Sequence, residues 1–132
     1  MDKMHYTPLN GKFRPLNFSI EVMFDAAEKF GSMVEAFEII DKESREGVAA
    51  IKWFLVHMAN DAELIRRQEG YEHDPMLTEA DIEITKPWQY ALYKSAVLGA
   101  IDIGYHRDVE DPKEEVDLGL QELNAKKEMA GD

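Results

Sequence analysis

The sequence predicts a mainly α domain, in which about four or five helices follow an N-terminal β-hairpin. The strongest observation is the apolar run from Gly47 to Arg67, whose apolar side chains recur every three or four residues and so share one stripe of a helix. Other apolar side chains, among them Trp53, lie outside that stripe, so neighbouring elements must cover a second side. We therefore expect Ser44 to Gln68 to be the central helix of the domain.

The N-terminal residues favour a β-hairpin. Asn10-Gly11 separates two short runs of strand-forming residues, and this dipeptide suits a two-residue turn in which both residues have positive φ. Pro8 and Pro15 each remove a backbone donor from the ladder. We therefore expect short strands, or strands that turn both proline positions outward.

Two short helices are predicted after the hairpin. Ser19 is a suitable N-cap for a helix that runs to Phe30, and Gly31 stands where a left-handed C-terminal residue is favoured. Ser32 and Glu35 then form the S-x-x-E capping box of a second helix. Because only two residues separate these helices, we expect a sharp turn between them.

A short helical turn and a long helix complete the predicted domain. Thr78 and Asp81 have the spacing that begins a helical turn, and Thr85 precedes Pro87 at the start of a helix that runs to about Gly104. Three small side chains of this helix would let another helix approach closely: Ala96, Gly99 and Ala100. We therefore expect it to pack against the central helix.

Composition divides the chain after Tyr105. Residues 106–132 include nine acidic and four basic residues and no aromatic residue. Such a segment offers little apolar surface to a core, so we expect an acidic tail that is weakly ordered or ordered only by a partner. The predicted division is a helical domain of residues 1–105 and a tail of residues 106–132.

The overall composition predicts against several classes of protein. The 27 acidic and 15 basic residues give a net charge of −12, which would repel a nucleic-acid backbone. The sequence has no cysteine, and therefore no disulfide framework, thiolate zinc site or cysteine nucleophile. The N-terminus has no apolar signal-peptide core, and no run approaches the roughly 20 apolar residues that span a bilayer. We expect a cytoplasmic protein that binds neither nucleic acid nor membrane.

Few residues of the sequence are candidates for catalysis or metal binding. His57 and Asp61 lie four residues apart on the central helix, but a metal site needs three or four ligands and no second helical pair supplies them. The loop from Glu69 to Asp74 lacks the ligand spacing and central glycine of an EF-hand, so a solvated acidic loop is expected. No nucleophile elbow, phosphate-binding loop, dinucleotide-binding or zinc-protease motif is present. We predict no catalytic, cofactor-binding or metal-binding residue.

Aromatic side chains are the candidates for contact with a protein partner. Such residues are enriched in binding hot spots, and the sequence places Trp53, Trp88 and Tyr93 on its two longest predicted helices. The alternative, which the sequence leaves open, is that these rings fill the core of the domain.

The order of motifs resembles that of a known family. A hairpin with an N-G-K turn, followed by RPLNFSIEVMFDAAEKFGSMVEAFEII, resembles the N-terminal part of tail assembly chaperones of long-tailed phages and prophages. The likeness continues through four further features: an apolar helix with a central Trp (Ala50 to Met58), an acidic loop (Glu69 to Pro75), a T-E-x-x-I segment (Thr78 to Ile82) and an alanine-rich last helix. It covers roughly residues 5–105.

The resemblance implies a non-enzymatic role in the host cytoplasm. Chaperones of this family bind the long, helical tape measure protein, keep it soluble and help tail tube subunits to polymerise around it. Many have a longer form that arises by a ribosomal frameshift near the end of the shorter reading frame. We predict that the DNA encoding Ala125-Lys126-Lys127 is a heptamer suited to slipping one base backward; the alternative is a solvated basic pair.

Two other functions stay open at this point. A generic helical adaptor that binds a different protein would share every feature above. A small metal-dependent enzyme would use His57, Asp61 and the loop from Glu69 to Asp74.

Overall fold

The structure is a computed structural model that describes residues 4–106, and it confirms the mainly α fold with an N-terminal hairpin. In chain order, the elements of the described residues are β1 (His5–Leu9), β2 (Lys12–Leu16), α1 (Ile20–Phe30), α2 (Met33–Asp41), α3 (Arg45–Gln68), a short 3₁₀ helix (Glu79–Asp81) and α4 (Pro87–Tyr105). None of the helices in this part of the chain has the length and hydropathy needed to cross a membrane. The predicted acidic tail lies, apart from His106, outside the described residues.

The hairpin forms as the sequence predicts. The turn residues Asn10 and Gly11 have φ values of 52° and 81°, the left-handed pair of a two-residue hairpin turn. In an antiparallel pair the hydrogen-bonded positions alternate, beginning with the residues that flank the turn. Pro8 and Pro15 therefore occupy positions without ladder hydrogen bonds, so the donors they lack are not missed by the partner strand.

Serine caps fix where three successive helices begin. The hydroxyls of Ser19, Ser32 and Ser44 each accept a hydrogen bond from the backbone N–H three residues ahead, at 3.3, 3.0 and 3.0 Å. Gly31 ends α1 with a φ of 98°, and a Cβ atom there would collide with the carboxylate of Glu35. The chain can therefore turn sharply between α1 and α2, as predicted.

Helix α3 is the centre of the fold. Strand β2, helices α1, α2 and α4 and the 3₁₀ helix all pack against it. The predicted stripe is buried along most of its length, and the predicted second side is buried too. The α3 side chains in the core include Ile51, Trp53, Phe54, Leu55, Val56, Met58 and Ala62. At the two ends of the stripe, Val48 and Ile65 are only partly buried.

Helix α4 packs against α3, as predicted, and also against β1. Two tyrosine hydroxyls fix its position: Tyr90 donates to the carbonyl of Ile40 at 2.6 Å, and Tyr93 donates to the carbonyl of Pro8 at 2.7 Å. The N-terminal turn of the helix is less covered, since Trp88 is 62% exposed. The helix therefore joins the hairpin to α2 across one side of α3.

A network of charged side chains joins the C-terminal end of α3 to the hairpin. We call Lys12, Glu63, Arg66, Arg67 and Asp74 the charged network. The carboxylate of Glu63, 1% exposed, accepts from Arg66 at 2.6 Å, from Arg67 at 2.8 Å and from the backbone N–H of Asp74 at 2.9 Å. Asp74 in turn accepts from Lys12 at 2.6 Å and from Arg66 at 3.1 Å. The expectation of a solvated acidic loop is therefore wrong for Asp74, because the basic side chains of α3 and β2 attract its carboxylate.

The charged network shifts the pKa values of both carboxyl groups. Burial by itself would raise the pKa of Glu63, but the hydrogen bonds from Arg67, the Asp74 backbone and Arg66 outweigh burial and lower it. The hydrogen bond from Lys12 lowers the pKa of Asp74 against the opposing effect of burial, and nearby arginine charges lower it further. Both groups are therefore held in their ionised form.

Candidate functional site

An apolar groove lies where α1, α2, the first half of α3 and the 3₁₀ helix meet. Its volume is 270 Å³, just below the range of roughly 300–1,000 Å³ that is typical of small-molecule pockets. Five of its lining residues are apolar: Phe30, Ile39, Ala49, Ala50 and Trp53. Such a space suits a few side chains of a protein partner better than a whole cofactor.

Helix α3 opens the groove by placing small residues beside a large one. Glu46, Ala49, Ala50 and Trp53 line the groove at spacings of three, one and three residues, which places them on one face of the helix. The two alanines lie one turn before the indole and do not fill the space that α1 and α2 leave open. Ala49 is exposed, so this wall of the groove is accessible from solvent.

The two aromatic residues that form the floor of the groove, Phe30 and Trp53, belong to a cluster of packed rings. The ring of Trp53 meets Phe30 edge to face at 5.4 Å between centroids, and meets Phe54 in the same way at 5.1 Å. It also stacks on His57 at 3.8 Å between centroids. Trp53 is only 8% exposed. Because the indole is held on several sides, a partner would meet a preformed surface and would not have to order it on binding.

The rim of the groove is charged. Lys29, Glu46 and Glu79 line it, and all three are exposed. Within residues 4–106, neither Glu46 nor Glu79 takes part in a side-chain hydrogen bond or an ion pair. The sequence that leads to the rim is acidic as well, with eight acidic and three basic residues from Ile20 to Glu46 inclusive. The groove therefore combines an apolar floor with a mainly negative rim.

The three predicted partner-binding residues lie in different environments. Trp53 lines the groove, where most of its ring is buried. Tyr93 is partly buried and its hydroxyl donates a hydrogen bond to the carbonyl of Pro8. Trp88 is exposed at the start of α4. Neither Tyr93 nor Trp88 lines the groove. The structure thus brings only Trp53 to the concave surface, and contact of all three residues with a partner stays a prediction.

The residues considered for metal binding have structural partners. The ring nitrogen Nδ1 of His57 lies 2.8 Å from the carbonyl oxygen of Trp53 in the preceding turn of α3. Asp61 accepts from the Asn17 amide at 2.7 Å and from the Ser19 hydroxyl at 3.2 Å, which ties α3 to the start of α1. In the part of the chain that the structure describes, no group of three or more His, Cys, Asp or Glu side chains is placed to hold a metal ion.

Comparison with known proteins returned no match to the chain, whether among family models, curated proteins or solved structures. The function is therefore inferred from the groove, its charged rim and the resemblance of the sequence.

Proposed function

We propose that this protein is a non-enzymatic phage or prophage tail assembly chaperone that holds a helical segment of a tape measure protein in the groove beside Trp53. In this role it keeps the tape measure protein soluble and assists the assembly of tail tube subunits around it. The observation that carries the proposal is the preformed apolar groove, with its aromatic floor, on a mainly helical and acidic domain.

The geometry of the groove supports a helical client. An amphipathic helix binds a groove by inserting apolar side chains spaced three, four and seven residues apart. The floor offers Phe30, Ile39 and Trp53 to such side chains, and the exposed Ala49 leaves the mouth open. A shallow, open site of this kind can release the helix when tail tube subunits take it over, whereas a closed cavity would retain it.

The order of elements also supports the proposal. The hairpin, the two short helices joined at Gly31-Ser32, the apolar helix with Trp53 and the last helix follow one another as in the family that the sequence resembles. The net charge of −12 favours a protein partner over a nucleic acid. We place the activity in the cytoplasm of the host cell.

The proposal is tested by filling the groove. Ala49→Phe places a ring in the mouth without removing any core side chain, and Ala91→Phe is the matched control because Ala91 is also exposed but lies on α4, away from the groove. The full chain is co-expressed with helical segments of the tape measure protein encoded by the same phage or prophage. We expect Ala49→Phe to lose most of the co-purified segment and Ala91→Phe to retain it.

Equal capture by the two variants, with both folded, would rule out this groove as the client site. Gene context gives a second test, since a tape measure gene directly downstream separates this chaperone from an adaptor that serves another protein.

A further inference from the structure

Building on the proposed function, we infer that the groove selects helices that carry Lys or Arg beside their apolar stripe, because Glu46 and Glu79 meet those cations at the rim. The client is then defined by its charge as well as by its helical form, because charged side chains line the groove.

Glu46 and Glu79 are two negative charges without a partner at the edge of an apolar surface. They come from different elements, α3 and the 3₁₀ helix, yet both line the same groove. Neither has an ion pair with another residue in the range 4–106. The carboxylates of the charged network, at the other end of α3, differ sharply, because Glu63 and Asp74 each bind two basic side chains. The fold thus neutralises one group of carboxylates and leaves the groove carboxylates available.

The single cation at the rim does not reverse this preference. Lys29 is exposed and lines the groove together with two carboxylates, so the three rim charges sum to a negative value. A helix with basic flanks would pair with Glu46 and Glu79, whereas a helix with acidic flanks would bring like charges together. Charges at an exposed rim act mainly on the rate of association and on specificity, and their effect weakens as salt is added.

The experiment uses two synthetic peptides of roughly 20 residues, long enough to form a helix. Both have the same Leu and Ala stripe; one carries Lys on both flanks of the stripe and the other carries Glu. Binding of each labelled peptide to the full chain is measured by fluorescence anisotropy at low and at moderate salt. We expect the Lys-flanked peptide to bind more tightly, and its advantage to shrink with salt.

Two charge-reversal variants separate the rim from the general field of an acidic protein. Glu46→Lys with Glu79→Lys changes the rim, and Glu69→Lys with Glu72→Lys makes the same change in net charge at exposed positions beyond the other end of α3. Glu46 and Glu69 are 23 residues apart in the sequence, or about 35 Å along a helical rise. The rim variant should weaken binding of the Lys-flanked peptide by roughly 2- to 30-fold relative to the control variant, as two exposed ion pairs allow.

Equal weakening by the two variants, or equal binding of the two peptides by the unmodified chain, would overturn the inference. The proposed function has its own outcome: it fails if Ala49→Phe leaves capture of the tape measure segment unchanged. If Ala49→Phe loses capture but the two charge variants do not differ, the groove remains the client site. In that case only the preference for basic helices is refuted. Circular dichroism melts of each variant confirm that the domain is folded. Glu46→Gln with Glu79→Gln, which removes charge without reversing it, should have a smaller effect in the same direction.

Discussion

Glu63→Gln should destabilise the domain strongly although Glu63 does not line the groove. The substitution keeps the size of the side chain but removes a negative charge that three donors share, from Arg66, Arg67 and the backbone of Asp74. It therefore leaves the guanidinium of Arg67 without a carboxylate partner and leaves Arg66 with Asp74 alone.

The size of the effect follows from burial. Breaking a buried ion pair by removing one partner costs about 3–5 kcal/mol, and Glu63 is only 1% exposed. The side chains of Arg66 and Arg67 are 17% and 29% exposed, so water recovers part of the loss. We therefore expect the free energy of unfolding to fall by about 2–4 kcal/mol at neutral pH.

The pH dependence gives a second, independent signature. Because the folded-state pKa of Glu63 lies below its ordinary value of 4.5, its contribution is fully present above about pH 4.5 and is lost as the pH falls through the folded-state value. The difference between Glu63→Gln and the unmodified chain should therefore be constant near neutral pH and shrink in acid.

Urea denaturation followed by circular dichroism at neutral and acidic pH measures both quantities. Glu69→Gln is the control, because Glu69 is exposed and lies six residues further along the chain, just after the end of α3. Two results would refute the view that the charged network holds the loop from Glu69 to Asp74. One is a loss of unfolding free energy in Glu63→Gln that is no larger than in Glu69→Gln, and the other is a loss that does not change with pH.

Three further predictions test other parts of the structure. Leu55→Ala removes a fully buried side chain of α3 and should lower the free energy of unfolding by about 2–5 kcal/mol in urea denaturation; a change within error would contradict the central position of α3. Burial raises the pKa values of Tyr90 and Tyr93 above 10.0, so their contribution is fully present below pH 10 and is lost as the pH rises through the folded-state values. The denaturation midpoint should therefore fall in strong alkali, and the Tyr90→Phe, Tyr93→Phe variant should show a smaller fall. The DNA that encodes Ala125-Lys126-Lys127 should read as a slippery heptamer followed by an overlapping frame, and codons that cannot slip would remove the frameshift.

Local signals explain why much of the fold could be predicted from the sequence. Each serine cap and the Asn-Gly turn acts within four residues, so its effect does not depend on the rest of the chain. The stripe of α3 was also predictable, because helical periodicity shows which side must be buried. Pro8 and Pro15 also limited the possible registers, since each lacks a backbone donor and must occupy a position without a ladder hydrogen bond.

The features that the sequence did not reveal depend on distant residues. The ion pair between Lys12 and Asp74 joins residues 62 positions apart, and no local pattern encodes that distance. The groove is a space between elements, so it depends on how far Phe30 and Ile39 stand from Ala49. One signal was available: two alanines one turn before Trp53 leave room on that face of the helix.

For Trp53, packing in the core and lining a binding surface are not mutually exclusive roles. The sequence left both roles open, and the structure buries most of the ring against Phe30, Phe54 and His57 while the same residue lines the groove. A variant that removes the indole would therefore damage the core as well as the groove. Ala49 is the better position at which to test binding, because its side chain is small and exposed.

Site-specific photocrosslinking shows directly whether a client segment lies in the groove. A photoreactive amino acid at position 49 would lie in the mouth of the groove, and the same residue at position 91 would lie outside it. The full chain is irradiated together with the tape measure segment that it co-purifies. We predict a crosslink to the segment from position 49 and none from position 91. A crosslink from position 91 alone, or from neither position while the segment stays bound, would contradict the assignment of the groove as the client site.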